Sequence, residues 1–122
     1  MGSTQDEERH KDAAKWQAQM RRGTLDLCLL AILSRETRYG YDIVQALSIG
    51  EGLVIKEGTI YPVLNRLSSE GLVAAEWRPS PQGPQRKYYR LTAAGNARLA
   101  RLRAEWRAFV DDVEHLLEED AG

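Results

Sequence analysis

Residues 57–72 leave little choice of local structure. Ile60, Val63, Leu64 and Leu67 fall at i, i+3, i+4 and i+7, one narrow apolar stripe of an α-helix. Thr59, Tyr61, Pro62, Asn65, Arg66 and Ser69 occupy the opposite face. Glu70-Gly71-Leu72 then closes the helix: Gly71 suits the left-handed C′ position, and Leu72 can pack back onto Leu67. On this reading Pro62 belongs to the first turn, where a missing N–H costs little.

The segments on either side are shaped to fit around that helix. Residues 12–35 read as a first helix. Leu25, Leu27, Cys28, Leu29, Leu30, Ala31, Ile32 and Leu33 make its later half apolar almost all round, as in the buried helix of a small domain. Its earlier half carries only Trp16 and Met20 at i, i+4, and Gly23 marks the place where it would kink, at about 1 kcal/mol against Ala. Residues 1–11 are polar and without period, and read as a disordered N-terminal tail. Residues 39–47 read as a short second helix on Ile43, Ala46 and Leu47, broken by Gly50 and Gly52. After the Gly71 stop, Val73, Ala75 and Trp77 alternate with Ala74, Glu76 and Arg78 as in a half-buried strand. Residues 79–85 hold three prolines and a glycine, read as a seven-residue loop, and Arg86-Lys87-Tyr88-Tyr89-Arg90-Leu91 returns. Thr92 caps a last helix, in which Leu99, Leu102, Trp106, Phe109, Val113 and Leu116 form a heptad seam.

With 122 residues the chain is one domain with a modest core, so a long helix left over at one end needs a partner. The 17 basic and 18 acidic residues nearly cancel, yet they are segregated. Residues 81–95 hold Arg86, Lys87 and Arg90 with no acid, whereas residues 108–122 hold six acids and no Lys or Arg. The longest apolar run, 27–33, is far below the ~18–20 residues of a membrane span. No signal peptide pattern opens the chain, and the one cysteine excludes an internal disulfide framework, so the expected setting is cytoplasmic. Nothing points to catalysis, a cofactor or a metal: His10 and His115 have no ligand spacing with Cys28, which reads as a small core residue.

Helix, helix, amphipathic helix, hairpin, helix is the order of a winged helix-turn-helix, a mainly α (α+β) fold with a two-stranded β wing. The polar face of the third helix is slim enough for a DNA major groove about 12 Å wide. There Thr59 offers a donor, Asn65 an amide, Tyr61 a hydroxyl, and Lys56 and Arg66 charge. The same residues would equally suit a solvated helix face. Arg86 and Lys87, beside a rigid tip and free of acids, favour phosphate contacts over a merely soluble hairpin edge. Tyr88 and Tyr89 read as strand packing.

At this point the residues resemble PadR-type bacterial transcriptional regulators. The resemblance lies in Tyr39-Gly40-Tyr41-Asp42-Ile43, in the run 57–67, in Glu70-Gly71-Leu72, and in Arg86-Lys87-Tyr88-Tyr89-Arg90-Leu91-Thr92-Ala93-Ala94-Gly95, and covers about residues 20–110. It implies a homodimeric repressor with the last helix exchanged between subunits, bound to an inverted repeat of operator DNA. By matching position it places Thr59, Tyr61 and Asn65, with Lys56 and Arg66 beside them, at the major groove. Arg86, Lys87 and Gln82 fall in the wing, and Tyr41 is either a phosphate contact or packed under the helix-turn-helix. The chain is also similar to the short subclass with a single C-terminal helix, whose multidrug-responsive members stack planar aromatic compounds against a tryptophan at the dimer centre. Trp106 matches that place, with Leu102, Phe109 and Val110 around it and Met20 and Trp16 from the first helix. Spacing alone suits a packed core at Trp106 as well as a ligand platform. The implied division is 1–11 tail, 12–95 DNA-binding domain and 96–122 dimerisation helix. A dimerising winged-helix module without an effector, or without DNA binding, is the alternative.

Overall fold

The computed structural model describes residues 2–48 and 55–118, with four helices and three strands among them. In chain order these are α1 (Gly2–Arg35), β1 (Arg38–Tyr39), α2 (Gly40–Leu47), α3 (Glu57–Ser69), β2 (Val73–Ser80), β3 (Gly83–Leu91) and α4 (Ala93–Glu118). Gly50 and Gly52, read as a chain break, lie outside the described residues, as do Glu119 and Asp120.

The core is built where the apolar stripes converge. Leu25, Leu29, Leu30 and Leu33 of α1 meet Ile43 and Leu47 of α2 and Ile60, Leu64 and Leu67 of α3. Val73 and Tyr89 close it from the sheet, and Leu99 from the start of α4. No helix among the described residues is long and apolar enough to cross a membrane.

The end of α3 forms as its sequence requires. Gly71 has φ of 77°, and the Leu72 and Gly71 N–H groups donate to the carbonyls of Leu67 and Ser68, both at 3.0 Å. This stop is tied to the start of α4. The Thr92 hydroxyl donates to the Gly71 carbonyl at 2.7 Å and accepts the Gly95 N–H at 3.0 Å, while the Thr92 N–H donates to Leu72 at 3.1 Å. Helix end, strand end and helix start are thus locked at one point.

Three expectations are corrected, on the first residues, the wing loop and Pro62. Residues 2–11 are not a tail: α1 runs unbroken from Gly2, through Gly23. This exposed segment has no apolar period to read, and local pairs support it instead, with Arg9 3.9 Å from Asp6 and the His10 ring nitrogen 2.7 Å from the Asp6 carbonyl. The two-stranded wing, β2 paired with β3, is present, and a short further strand joins it in the order β1-β3-β2, with Arg38 opposite Tyr89 and Tyr39 opposite Tyr88. The seven-residue loop is a tight turn at Pro81 and Gln82, because Ser80 pairs with Gly83 after a register shift past Arg78. Pro79 lies on the outer strand β2, where a missing N–H is tolerated. Finally, Pro62 sits in the second turn of α3, since Lys56 is the N-cap, so the Gly58 carbonyl lacks its usual partner four residues on. Both residues are exposed, and water can serve that carbonyl.

Candidate nucleic-acid interface

The side chains singled out on α3 divide between its two flanks. Residues four apart share a face, so Tyr61 and Asn65 lie on one flank, and Thr59, Val63 and Arg66 on the other.

The Tyr61 and Asn65 flank looks across a cleft of about 450 Å³ toward the wing. Tyr41 from α2 and Arg86 and Lys87 from β3 line the same cleft. Aromatic rings aim the two cations: the Arg86 guanidinium lies 4.6 Å from the centroid of Tyr39, and the Lys87 ammonium 5.8 Å from those of Trp77 and Tyr89. Such contacts hold a side chain in direction while leaving its charge intact. Asn65 is exposed, and its amide makes no hydrogen bond among the described residues. Tyr41 is also exposed, its ring 6.3 Å from that of Tyr39. Gln82 stands exposed at the wing turn. Tyr88 is half-buried and Tyr89 buried, as strand packing requires.

Tyr61 is more tightly engaged. Its ring covers Gly40, where a Cβ would come within 2.5 Å of the hydroxyl oxygen and 2.7 Å of Cε1. Burial, and then the Glu57 carboxylate, raise its pKa above the ordinary tyrosine value. The residue is a strut between α3 and α2, and Gly40 is the residue that sequence reasoning passed over. Its signal was a glycine between two tyrosines at a helix start.

On the other flank, Lys56 and Thr59 are exposed, with no side-chain hydrogen bond among the described residues. Arg66 is committed. Its guanidinium donates to Asp26 of α1 at 2.6 Å and to Glu70 at 3.1 Å, and the bond to Asp26 leads the causes that raise its pKa. In the isolated chain its charge is met by two carboxylates.

The predicted effector residues lie on α1 and α4. Leu102 is packed against the core and Val110 is half-buried, but Trp106 is 43% exposed and Phe109 61%. The Trp106 and Phe109 rings stand 6.4 Å apart. α1 packs on α4, and Trp16 and Met20 of α1 are exposed too. Within one protomer Trp106 is therefore not a core residue. Among the described residues, no group of three or more His, Cys, Asp and Glu side chains could hold a metal ion.

The sequence model of the transcriptional regulator PadR-like family matches residues 29–101, which span α2, α3 and the whole wing. A crystal structure of a PadR family transcriptional regulator from Eggerthella lenta is 38% identical, covers 90% of this chain and 96% of its own, and superposes with a TM-score of 0.80. A PadR-like transcriptional regulator from Bacillus cereus is 36% identical over 82% of this chain and 97% of its own, with a TM-score of 0.74. An uncharacterized protein of Lysinibacillus sphaericus is 35% identical over 99 residues, 80% of this chain and 91% of its own.

Proposed function

The chain belongs to the PadR-like family of transcriptional regulators, and from that premise we propose that it is a homodimeric repressor that leaves its operator when a planar aromatic molecule binds. The observation that carries the DNA side of this reading is the cleft between α3 and the wing. An unpaired amide on the helix and two ring-aimed cations on the strand converge there. Asn65 is suited to read a base edge through a bidentate amide contact, and Arg86 and Lys87 to hold the flanking backbone. Thr59 and Lys56 stand at the helix start, where the groove is entered. Tyr61 braces α3 against α2 through its contact with Gly40, and its ring lines the same cleft as Asn65.

The effector side rests on the apolar face of α1 and α4. Two copies joined there would bring their Trp106 rings together about a two-fold axis, and a flat aromatic compound could lie between them.

The test of the DNA reading is selection of duplexes from a random pool, followed by footprinting. The expected site is an inverted repeat with half-site centres about 34 Å apart, bound with an affinity that falls steeply with salt. Reversal of both charges at Arg86 and Lys87 should abolish that binding. A dimer that keeps its function after the reversal would be the interaction module instead.

A further inference from the structure

On the flank of α3 away from the wing, α1 and the start of α3 enclose a second cleft, of about 440 Å³. α1 supplies Arg21, Arg22 and Asp26, α3 supplies Thr59 and Arg66, and Lys56 stands at the α3 N-cap. Residues 18, 21, 22 and 25 fall at i, i+3, i+4 and i+7, so this stripe of α1 faces α3 as a whole.

The lining holds one acid, and that acid is occupied. Asp26 receives the Arg66 guanidinium at 2.6 Å, while the second arm of Arg66 reaches Glu70 at 3.1 Å. Arg66 is thereby spent on its neighbours. Arg22 and Lys56, by contrast, are exposed and form no ion pair among the described residues. The cleft therefore keeps positive charge that no carboxylate in its lining answers.

We propose that this cleft is a second seat for the DNA phosphate backbone, with Arg22 and Lys56 as its cations and the Thr59 hydroxyl as a donor. The proposal rests on the DNA-binding reading given above. A helix lying in a major groove has a phosphate strand on each side of it. The wing carries Arg86 and Lys87 to one side of α3, and α1 carries Arg22 to the other. A guanidinium can donate two parallel N–H groups to one phosphate, and the Lys56 ammonium adds a point charge at the helix start. Arg66 then has a different task from the one its place on α3 suggests. It is a positioning residue that cancels the repulsion Asp26 would exert on a phosphate.

The experiment is fluorescence anisotropy of the full chain on a selected duplex and on a scrambled one, across a salt series. The variants are Arg22→Gln, Arg22→Lys, the wing pair Arg86→Gln/Lys87→Gln, and Arg107→Gln as a charge control on exposed α4. Melting temperatures check that each is folded. Losing one phosphate contact per subunit should lower the slope of log K against log salt by about two in Arg22→Gln. The preference for the selected duplex should persist, Arg22→Lys should recover most of the slope, and Arg107→Gln should match the parent. A parental slope in Arg22→Gln, with a reduced one in the wing pair, would overturn the second seat and leave the DNA reading standing. A parent chain with no salt-dependent duplex binding would overturn both.

Discussion

At Gly95 a single methyl group would meet the carbonyl oxygen of Leu72 well inside contact distance, with the Leu91 side chain close behind. That carbonyl also accepts the Thr92 N–H at 3.1 Å, so the backbone cannot retreat without losing a hydrogen bond. Gly95→Ala is therefore expected to cost about 1–3 kcal/mol of stability, read as a lower urea midpoint at unchanged m. Gly40 is crowded differently, because its neighbour is the Tyr61 ring, a side chain that can swing aside. Gly40→Ala should stay folded yet bind DNA more weakly, since α3 loses its strut on α2; melting curves and duplex titration separate the two effects. Titration adds a third residue-scale expectation. Burial raises the pKa values of Cys28, Tyr61 and Tyr89 in the folded chain above their ordinary values. The unfolded chain therefore releases these protons first as pH rises through its ordinary range of about 8.5–10, and stability must fall there. Urea midpoints at neutral and alkaline pH should show that fall, and Tyr89→Phe should flatten it.

At the scale of elements, what repeats was legible and what is local or brief was not. α3 and its stop followed from four apolar residues and one glycine, and α4 from its heptad spacing. β1 is only two residues long, too short for any period, and appears only because β3 offers it an edge. The first turns of α1 carry no apolar stripe, so the same rule that found α3 read them as a tail. The wing turn was misjudged through its prolines, which mark loops in general: Pro79 lies on the outer strand β2 and Pro84 on β3 beyond the two residues that β1 pairs, where a missing N–H is tolerated. The candidate site divides in the same way. Asn65, Arg86 and Lys87 were visible as polar residues on known faces. The commitment of Arg66 was not, because Asp26 lies forty residues away in sequence. α4 itself is two elements in one. Its start buries Gly95 and Leu99 in the protomer, whereas Phe109, Leu116 and Leu117 are exposed. A chain ending at Arg103 should therefore remain folded and become monomeric, as measured by circular dichroism and light scattering, while a cut before Leu99 should also lose stability.

At the scale of the whole molecule, most of the large exposed apolar residues lie on two helices that pack together, the exceptions among the described residues being Tyr41 on α2 and Trp77 on β2. Trp16 and Met20 belong to α1, and Trp106, Phe109, Val113, Leu116 and Leu117 to α4. An apolar face of this extent is rare on a monomer and calls for a cover, which in the proposed dimer is a second copy of the same face. The cleft proposed to read DNA lies on α3 and the wing, and the α1–α4 face connects to it by two routes: α1, which holds Arg66 through Asp26, and the start of α4, which packs on β3 and is tied to the end of α3 through Thr92. Trp106 decides whether that face is an interface alone or an interface with a site. A fully buried tryptophan costs about 3–5 kcal/mol when cut to alanine. Trp106 is 43% exposed in the protomer, so close packing across the dimer would be needed to reach such a cost. If the two indoles instead leave a slot, each stacked pair contributes about 0.5–1.5 kcal/mol to a planar guest. Such a slot has few fixed donors, so it should accept several unrelated flat compounds at micromolar affinity. The expected result is a Trp106→Ala dimer that melts near the parent temperature and no longer binds planar dyes. Trp16 and Trp77 also fluoresce, so quenching must be read as the difference between the parent and this variant. A folded Trp106→Ala dimer that binds those dyes as tightly as the parent would leave the face with dimerisation alone.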